Sequence, residues 1–165
     1  LPGSLAHPVE YALRYYAQYP AMGIPLYYPP FFATVEALFF AVFGISVSTA
    51  RLTVLAFGLL GVLMTYRLMR QIAGRPAGVL AAAGFISIPS MVFWSRQTML
   101  ELPTAAMAMT ATYFFYQYAE RGRRKHAIWT GLFTAAAVMT KQPALFIVPA
   151  FFLYLLMRRK FTDWA

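Results

Sequence analysis

The chain has no cysteine among its 165 residues, which excludes a disulfide framework and a thiolate metal site and leaves the redox compartment unmarked. Charge is scarce as well. Only 12% of the residues are Asp, Glu, Lys or Arg, about half the ~25% usual for a soluble domain. Acids are the rarest, 5 against 14 Lys and Arg. Histidine occurs twice, and His7 has no second ligand at metal spacing, so no metal site is assigned. There is no Gly-rich phosphate loop and no Ser-His-Asp or Cys-His set, which removes P-loop and triad chemistry.

Apolar residues fill the space that charge leaves: 61% of the chain is hydrophobic, 18% is aromatic and the mean hydropathy is +0.59. That balance indicates a membrane protein. The net charge of +9 does not indicate nucleic acid, because the basic residues sit at the ends of apolar runs instead of forming the stripe a duplex needs. The opening "LPGSLAHPVEY" has neither a basic nor an apolar leader region, so no signal peptide is read there. The chain is expected to be a piece of a longer protein.

A membrane-crossing helix needs about 20 apolar residues, and charge and proline divide the chain into five candidates: 52–69, 76–94, 102–118, 127–140 and 142–157. A further stretch, "PFFATVEALFFAVFG", carries Glu36 in its middle and is bounded by Pro-Pro and Gly. It reads as a helix over 31–44 lying in the membrane interface. The fold class expected is therefore all-α: a polytopic bundle of about five transmembrane helices plus an interfacial helix. Residues 1–30, rich in Tyr and Pro, form an outer segment, 31–160 the membrane module, and 161–165 a cytoplasmic end.

Orientation follows from charge. Arg67, Arg70 and Arg75, four residues of "RGRRKH", and the three of "RRK" all fall between spans on one side, which the positive-inside rule makes cytoplasmic. Arg14, Arg51, Arg96 and Lys141 fall outside, with Glu10, Glu36 and Glu101. Trp94, Trp129 and Trp164 fit aromatic belts. Gly58, Gly61, Gly74, Gly78 and Ala81 to Ala83 look like sites of close helix packing. The active face is expected outside a cell membrane.

Ionisable residues at a membrane edge are functional hypotheses by default. "SRQTMLELP" places Glu101 before an apolar run, where "TMLE" also fits a capping box with Thr98 as N-cap. Capping and ligand binding both stand for Glu101, and neither excludes the other. Arg96 either pairs with Glu101, snorkels to headgroups or contacts a phosphate. Lys141 sits in "MTKQP", a turn too short to be a solvated loop, on the side that disfavours basic residues. Arg51, Arg96 and Lys141 together would suit a lipid phosphate, and scattered headgroup contacts are the alternative. Tyr27 and Tyr28 suit a membrane surface or a sugar. His126 is placed in the cytoplasmic basic loop.

The order "IPLYYPPFF…FFAVFGIS…ARL", "RLMRQIAGRPAGVLAA", "SIPSMVFWSRQTMLELP" and "GLFTAAAVMTKQPALFIVP" resembles the membrane region of the protein mannosyltransferase-like enzymes. These are polytopic glycosyltransferases of the C-type fold that also include lipopolysaccharide-core and aminoarabinose transferases. The resemblance covers nearly everything from Ile24 to Lys160. It implies transfer of a hexose or pentose from a polyprenyl-phosphate carrier, such as a dolichyl phosphate, to a protein, lipid or polysaccharide acceptor on the outer face. Carried over to this chain, it makes Glu101 the outer-loop acid and Lys141 the lysine of the "TK" turn. Lys141, Arg96 and Arg51, with Tyr27 and Tyr28, then become candidates for holding the lipid phosphate or substrate. No cofactor is assigned, and a requirement for a divalent metal is not legible. Two departures stand out: Tyr28-Pro29 replaces the Glu-Lys pair that aminoarabinose transferases have before the proline, and the family's first helix with its Asp is absent upstream. A fragment of this kind is expected to be inactive alone. The alternatives are a non-catalytic module binding a lipid-phosphate carrier, or a flippase or transporter subunit.

Overall fold

The computed structural model describes residues 29–162, and every regular element among them is helical. The outer segment, with Tyr27 and Tyr28, lies outside the described residues. Six α-helices follow in order: α1 (Phe31–Phe43), α2 (Val47–Ser87), α3 (Pro89–Ser95), α4 (Glu101–Arg121), α5 (Arg124–Val138) and α6 (Ile147–Thr162). A 3-10 turn, Gln142–Phe146, joins α5 to α6.

Helix α1 matches the expected 31–44 closely and is bounded by the residues that suggested it. It starts after Pro30 and stops at Gly44, whose φ of +82° favours glycine. Helix α2 starts at Ser46, whose extended backbone and hydroxyl cap the amide of Thr49 at 3.1 Å.

The long helix α2 is in fact a hairpin. Ala73 and Gly74 leave the helical region, Gly74 with φ +86° and ψ 177°, a conformation essentially restricted to glycine. The chain then doubles back. A Cβ on Gly78 would stand 2.9 Å from the Tyr66 carbonyl oxygen, and one on Gly61 would stand 3.0 Å from the Phe85 ring. Of the glycines expected to mediate packing, Gly58, Gly61 and Gly78 do so, whereas Gly74 makes the turn and has little around it. Pro76 falls in the first turn of the second half, where a missing N–H costs nothing.

The expected span 76–94 is interrupted. Ile88 adopts an extended backbone (φ −64°, ψ 118°) because the following Pro89 disfavours a helical residue before it, and α3 then runs only to Ser95. Residues 102–118 are helical throughout, within α4. Helix α5 covers most of 127–140 but begins three residues earlier and ends two earlier, while 142–157 opens as a 3-10 turn containing Pro143 before α6. By length and composition, only the run Val47–Ser87 among the described helices qualifies to cross a membrane.

Helix α4 is the axis of the bundle. It touches α2, α3, α5, the 3-10 turn and α6, and its small residues Ala106 and Ala111 are fully buried. Val54, Phe57, Leu102, Met107, Ala136 and Ala137 complete the central core, and Phe32 of α1 packs onto it. The buried threonines are satisfied locally: Thr53, Thr65, Thr110 and, just past the end of α5, Thr140 each donate to the carbonyl four residues back. In apolar surroundings an unpaired hydroxyl would be costly. The outward faces are apolar, with Leu59, Leu80, Ile128 and Phe152 all more than half exposed.

Candidate active site

Two chain segments 40 residues apart meet at one end of the bundle. The first is the start of α4. Glu101 is its first residue, and Leu100 before it provides no side-chain cap. The expected capping box with Thr98 is therefore not formed. Residues 96–98 are used in the turn that leaves α3, so the helix starts too late for Thr98 to cap it. Pro103 falls in the first turn, where a missing N–H costs nothing.

The second segment is the turn after α5. Lys141 has an extended backbone (φ −155°, ψ 125°), its N–H donates to Ala137 O at 3.0 Å, and its carbonyl accepts from Ala144 N at 3.1 Å. The N–H of Phe31 donates to Met139 O at 3.0 Å, which fastens the start of α1 to the same turn. Thr140 is fully buried. Lys141 thus projects from a backbone fixed on both sides.

Its ammonium lies 2.5 Å from Glu101 Oε1. The pair is partly open to solvent, with 42% of the Lys141 side chain and 28% of the Glu101 side chain exposed. Thr98, Met99, Leu100, Gln142 and Pro143 complete a cleft of about 470 Å³ around it. The Lys141 hydrogen bond is the main influence holding the Glu101 carboxyl below the usual carboxylate range. Burial opposes it, and the residue's own backbone N–H and the Lys141 charge add to the lowering. Glu101 is consequently a carboxylate at neutral pH, fixed at the positive end of α4 where a negative charge is favoured.

Arg96 does not pair with Glu101, because Lys141 occupies that position. Arg96 and Arg51 instead line a separate cleft of about 560 Å³ with Ser48, Leu52, Leu55 and Ser95. The expected cluster of Arg51, Arg96 and Lys141 is therefore divided: two arginines share one cleft, and the lysine belongs to the other. Neither arginine has an acidic partner among the described residues. Glu36, on α1, is partly buried, and burial pushes its carboxyl up. Among the described residues no three His, Asp or Glu side chains gather as a metal-binding group.

The sequence reading missed the pairing of Glu101 with Lys141 and the part of Ser48 and Ser95 in the arginine cleft. The available signal was position, since all four residues stand at helix ends on one side of the bundle. His126, expected in a loop, lies in the first turn of α5 and is buried. Trp129 stacks on Phe114 and Phe133 at 6.0 and 5.8 Å between ring centroids, so it packs against α4 and along α5 as well as reaching the surface.

Comparison with known proteins bears on what such a site is for. The sequence model of the dolichyl-phosphate-mannose-protein mannosyltransferase family matches residues 28–164, and so covers Glu101, Lys141 and both arginines. The chain belongs to this family. The match identifies the chain as a mannosyltransferase-like domain. An uncharacterised protein of Aquifex aeolicus (strain VF5) is 30% identical over 135 residues, which are 79% of this chain and 27% of that protein. The chain therefore spans about a quarter of the length of this relative. No solved structure matches the chain.

Proposed function

We propose that this chain is the core module of a polytopic membrane enzyme that moves a sugar from a polyprenyl-phosphate carrier to an acceptor on the outer face of the membrane. The observation that carries the proposal is the Glu101–Lys141 pair, built from two distant segments within the region that matches the family. The apolar outward faces of α2, α5 and α6 and the hairpin in α2 support several crossings.

The reaction forms a bond between the acceptor oxygen and the anomeric carbon, breaks the bond from that carbon to the carrier phosphate, and transfers the acceptor proton to a carboxylate. A general base works best when its pKa lies near the operating pH. Glu101 is held lower than that, so its role is to orient the acceptor hydroxyl and receive its proton as the bond forms. Lys141 fixes the carboxylate and presents its remaining N–H donors to the leaving phosphate. Arg51 and Arg96, which have no counter-ion among the described residues, line the separate cleft and offer a second anion-attracting surface there. Two cations lining one cleft without an acid favour an anion in it.

Glu101→Gln keeps the shape of the side chain and removes its ability to accept a proton. In the full-length protein, assayed with a polyprenyl-phosphate sugar, transfer is expected to fall by about 10²-fold or more, the scale of a lost acid–base group. A folded Glu101→Gln protein with undiminished transfer would refute the assignment.

A further inference from the structure

The opposite end of the bundle carries a feature that the transfer reaction does not use. Helix α4 ends at Arg121, Gly122 reverses the chain with φ +63°, and α5 begins after Arg123 with no side-chain cap. The first turn of α5 is Arg124, Lys125 and His126, and contains no acid. Helix N-termini present unpaired N–H groups and a partial positive charge. Three consecutive cations, Arg123, Arg124 and Lys125, therefore occupy the end of a helix where cations are least favoured.

The neighbouring acid does not relieve them. Glu120 is held by Arg158 of α6 at 3.0 Å, and the same guanidinium donates to Ala119 O. Arg123, Arg124 and Lys125 have no ion-pair partner among the described residues. His126 is only 8% exposed, and its Nδ1 is buried with no hydrogen-bond partner. Arg123, Arg124 and Lys125 are exposed, whereas His126, whose N–H donates to Arg123 O at 2.9 Å, packs inward.

We propose that the start of α5 binds the phosphate of an anionic phospholipid. The N–H groups, the guanidinium groups of Arg123 and Arg124 and the Lys125 ammonium all match a phosphate diester, and an anion there would offset the unfavourable charge. The surface below the turn identifies the phosphate as that of a lipid. Ile128 and Leu132 are 69% and 54% exposed and follow Arg124 at four-residue intervals, so a cation and an apolar stripe share one helix face. That face fits a headgroup above its acyl chains.

The proposal rests on the reading that the bundle is embedded in a membrane, and the test separates the two. Full-length protein is reconstituted into bilayers of phosphatidylcholine alone or with phosphatidylglycerol, and retained lipid is identified by native mass spectrometry. Wild-type protein is expected to retain phosphatidylglycerol over phosphatidylcholine by about tenfold, on the scale of one or two cations at a membrane surface. The variant combining R123Q, R124Q and K125Q should lose that preference, while one combining R67Q and R70Q keeps it. If the triple variant does not assemble, R124Q alone should reduce the preference by about threefold. No preference in wild-type protein, or an undiminished one in the assembled variants, would overturn the proposal. Displacement of the lipid by millimolar inorganic phosphate would also overturn it, in favour of a free anion. Protein that fails to enter phosphatidylcholine bilayers would instead refute the membrane reading.

Discussion

Glu101 shows how one residue can have two explanations that only tertiary structure separates. Local sequence offered it a backbone partner three residues away, and the fold gave it an ammonium 40 residues away. Its stability contribution follows from the sign of the shift. A carboxyl held below its ordinary value of 4.5 stabilises the fold fully above that pH and loses the contribution as pH falls through the lower folded value. The same sign governs activity. Lys141→Met removes the main lowering influence and leaves burial, which raises the pKa, against the smaller effect of the residue's own backbone N–H, so the acidic limb of the pH–rate profile should move to higher pH. An acidic limb that stays in place while overall activity changes would mean that Lys141 does not act through Glu101. The candidate site residues could be singled out because ionisable side chains are rare in this chain, and their positions at the ends of apolar runs marked them further. Their partners were not legible. Pairing depends on which helix ends meet, and nothing in the spacing of Arg51, Arg96 and Lys141 says that two will share a cleft and the third will not.

At the scale of elements, the helices were readable from apolar runs and the breaks from glycine and proline, but the two kinds of glycine looked alike. Gly74 turns the chain and Gly78 lets the two halves of α2 touch, a distinction set by φ and by the neighbouring backbone. The nature of the neighbour also predicts a difference in cost. A methyl at Gly78 would meet the Tyr66 carbonyl at 2.9 Å, whereas one at Gly61 would meet the tip of the Phe85 side chain at 3.0 Å. Backbone cannot move without displacing its helix, while a ring tip can turn. Gly78→Ala should therefore destabilise the protein by about 1–3 kcal/mol, the range for overpacking, and Gly61→Ala by clearly less. Thermal unfolding in detergent of both variants checks this, and equal midpoints would show that the halves are not in close contact. The break at Ile88 was legible in principle, because Pro89 follows it. The length and hydropathy of 76–94 outweighed that signal.

At the scale of the whole molecule, the helix connections sort charge to the two ends of the bundle. The Gln117 side chain donates to Gln71 at 2.7 Å, and Leu102 lies against Gly58, which sets α4 parallel to the first half of α2. The Glu120–Arg158 pair joins the ends of α4 and α6. Arg67, Arg70, Arg75, Arg121, Arg123, Arg124, Lys125 and Arg158 consequently gather at one end, and Arg51, Arg96 and Lys141 at the other. A bundle that crosses a membrane would place the larger group inside, and the absence of cysteine from these 165 residues makes the point directly testable. In a cysteine-free background of the full-length protein, Thr98→Cys should react with a membrane-impermeant maleimide on intact cells, whereas Arg75→Cys should react only after the cells are permeabilised. Thr98 lies beside the Glu101–Lys141 pair and Arg75 just beyond the turn of the hairpin, so the two report opposite ends of one helical pair. Labelling of both from outside would remove the membrane between them. Labelling of Arg75→Cys alone would invert the orientation and place the proposed transfer site on the cytoplasmic face.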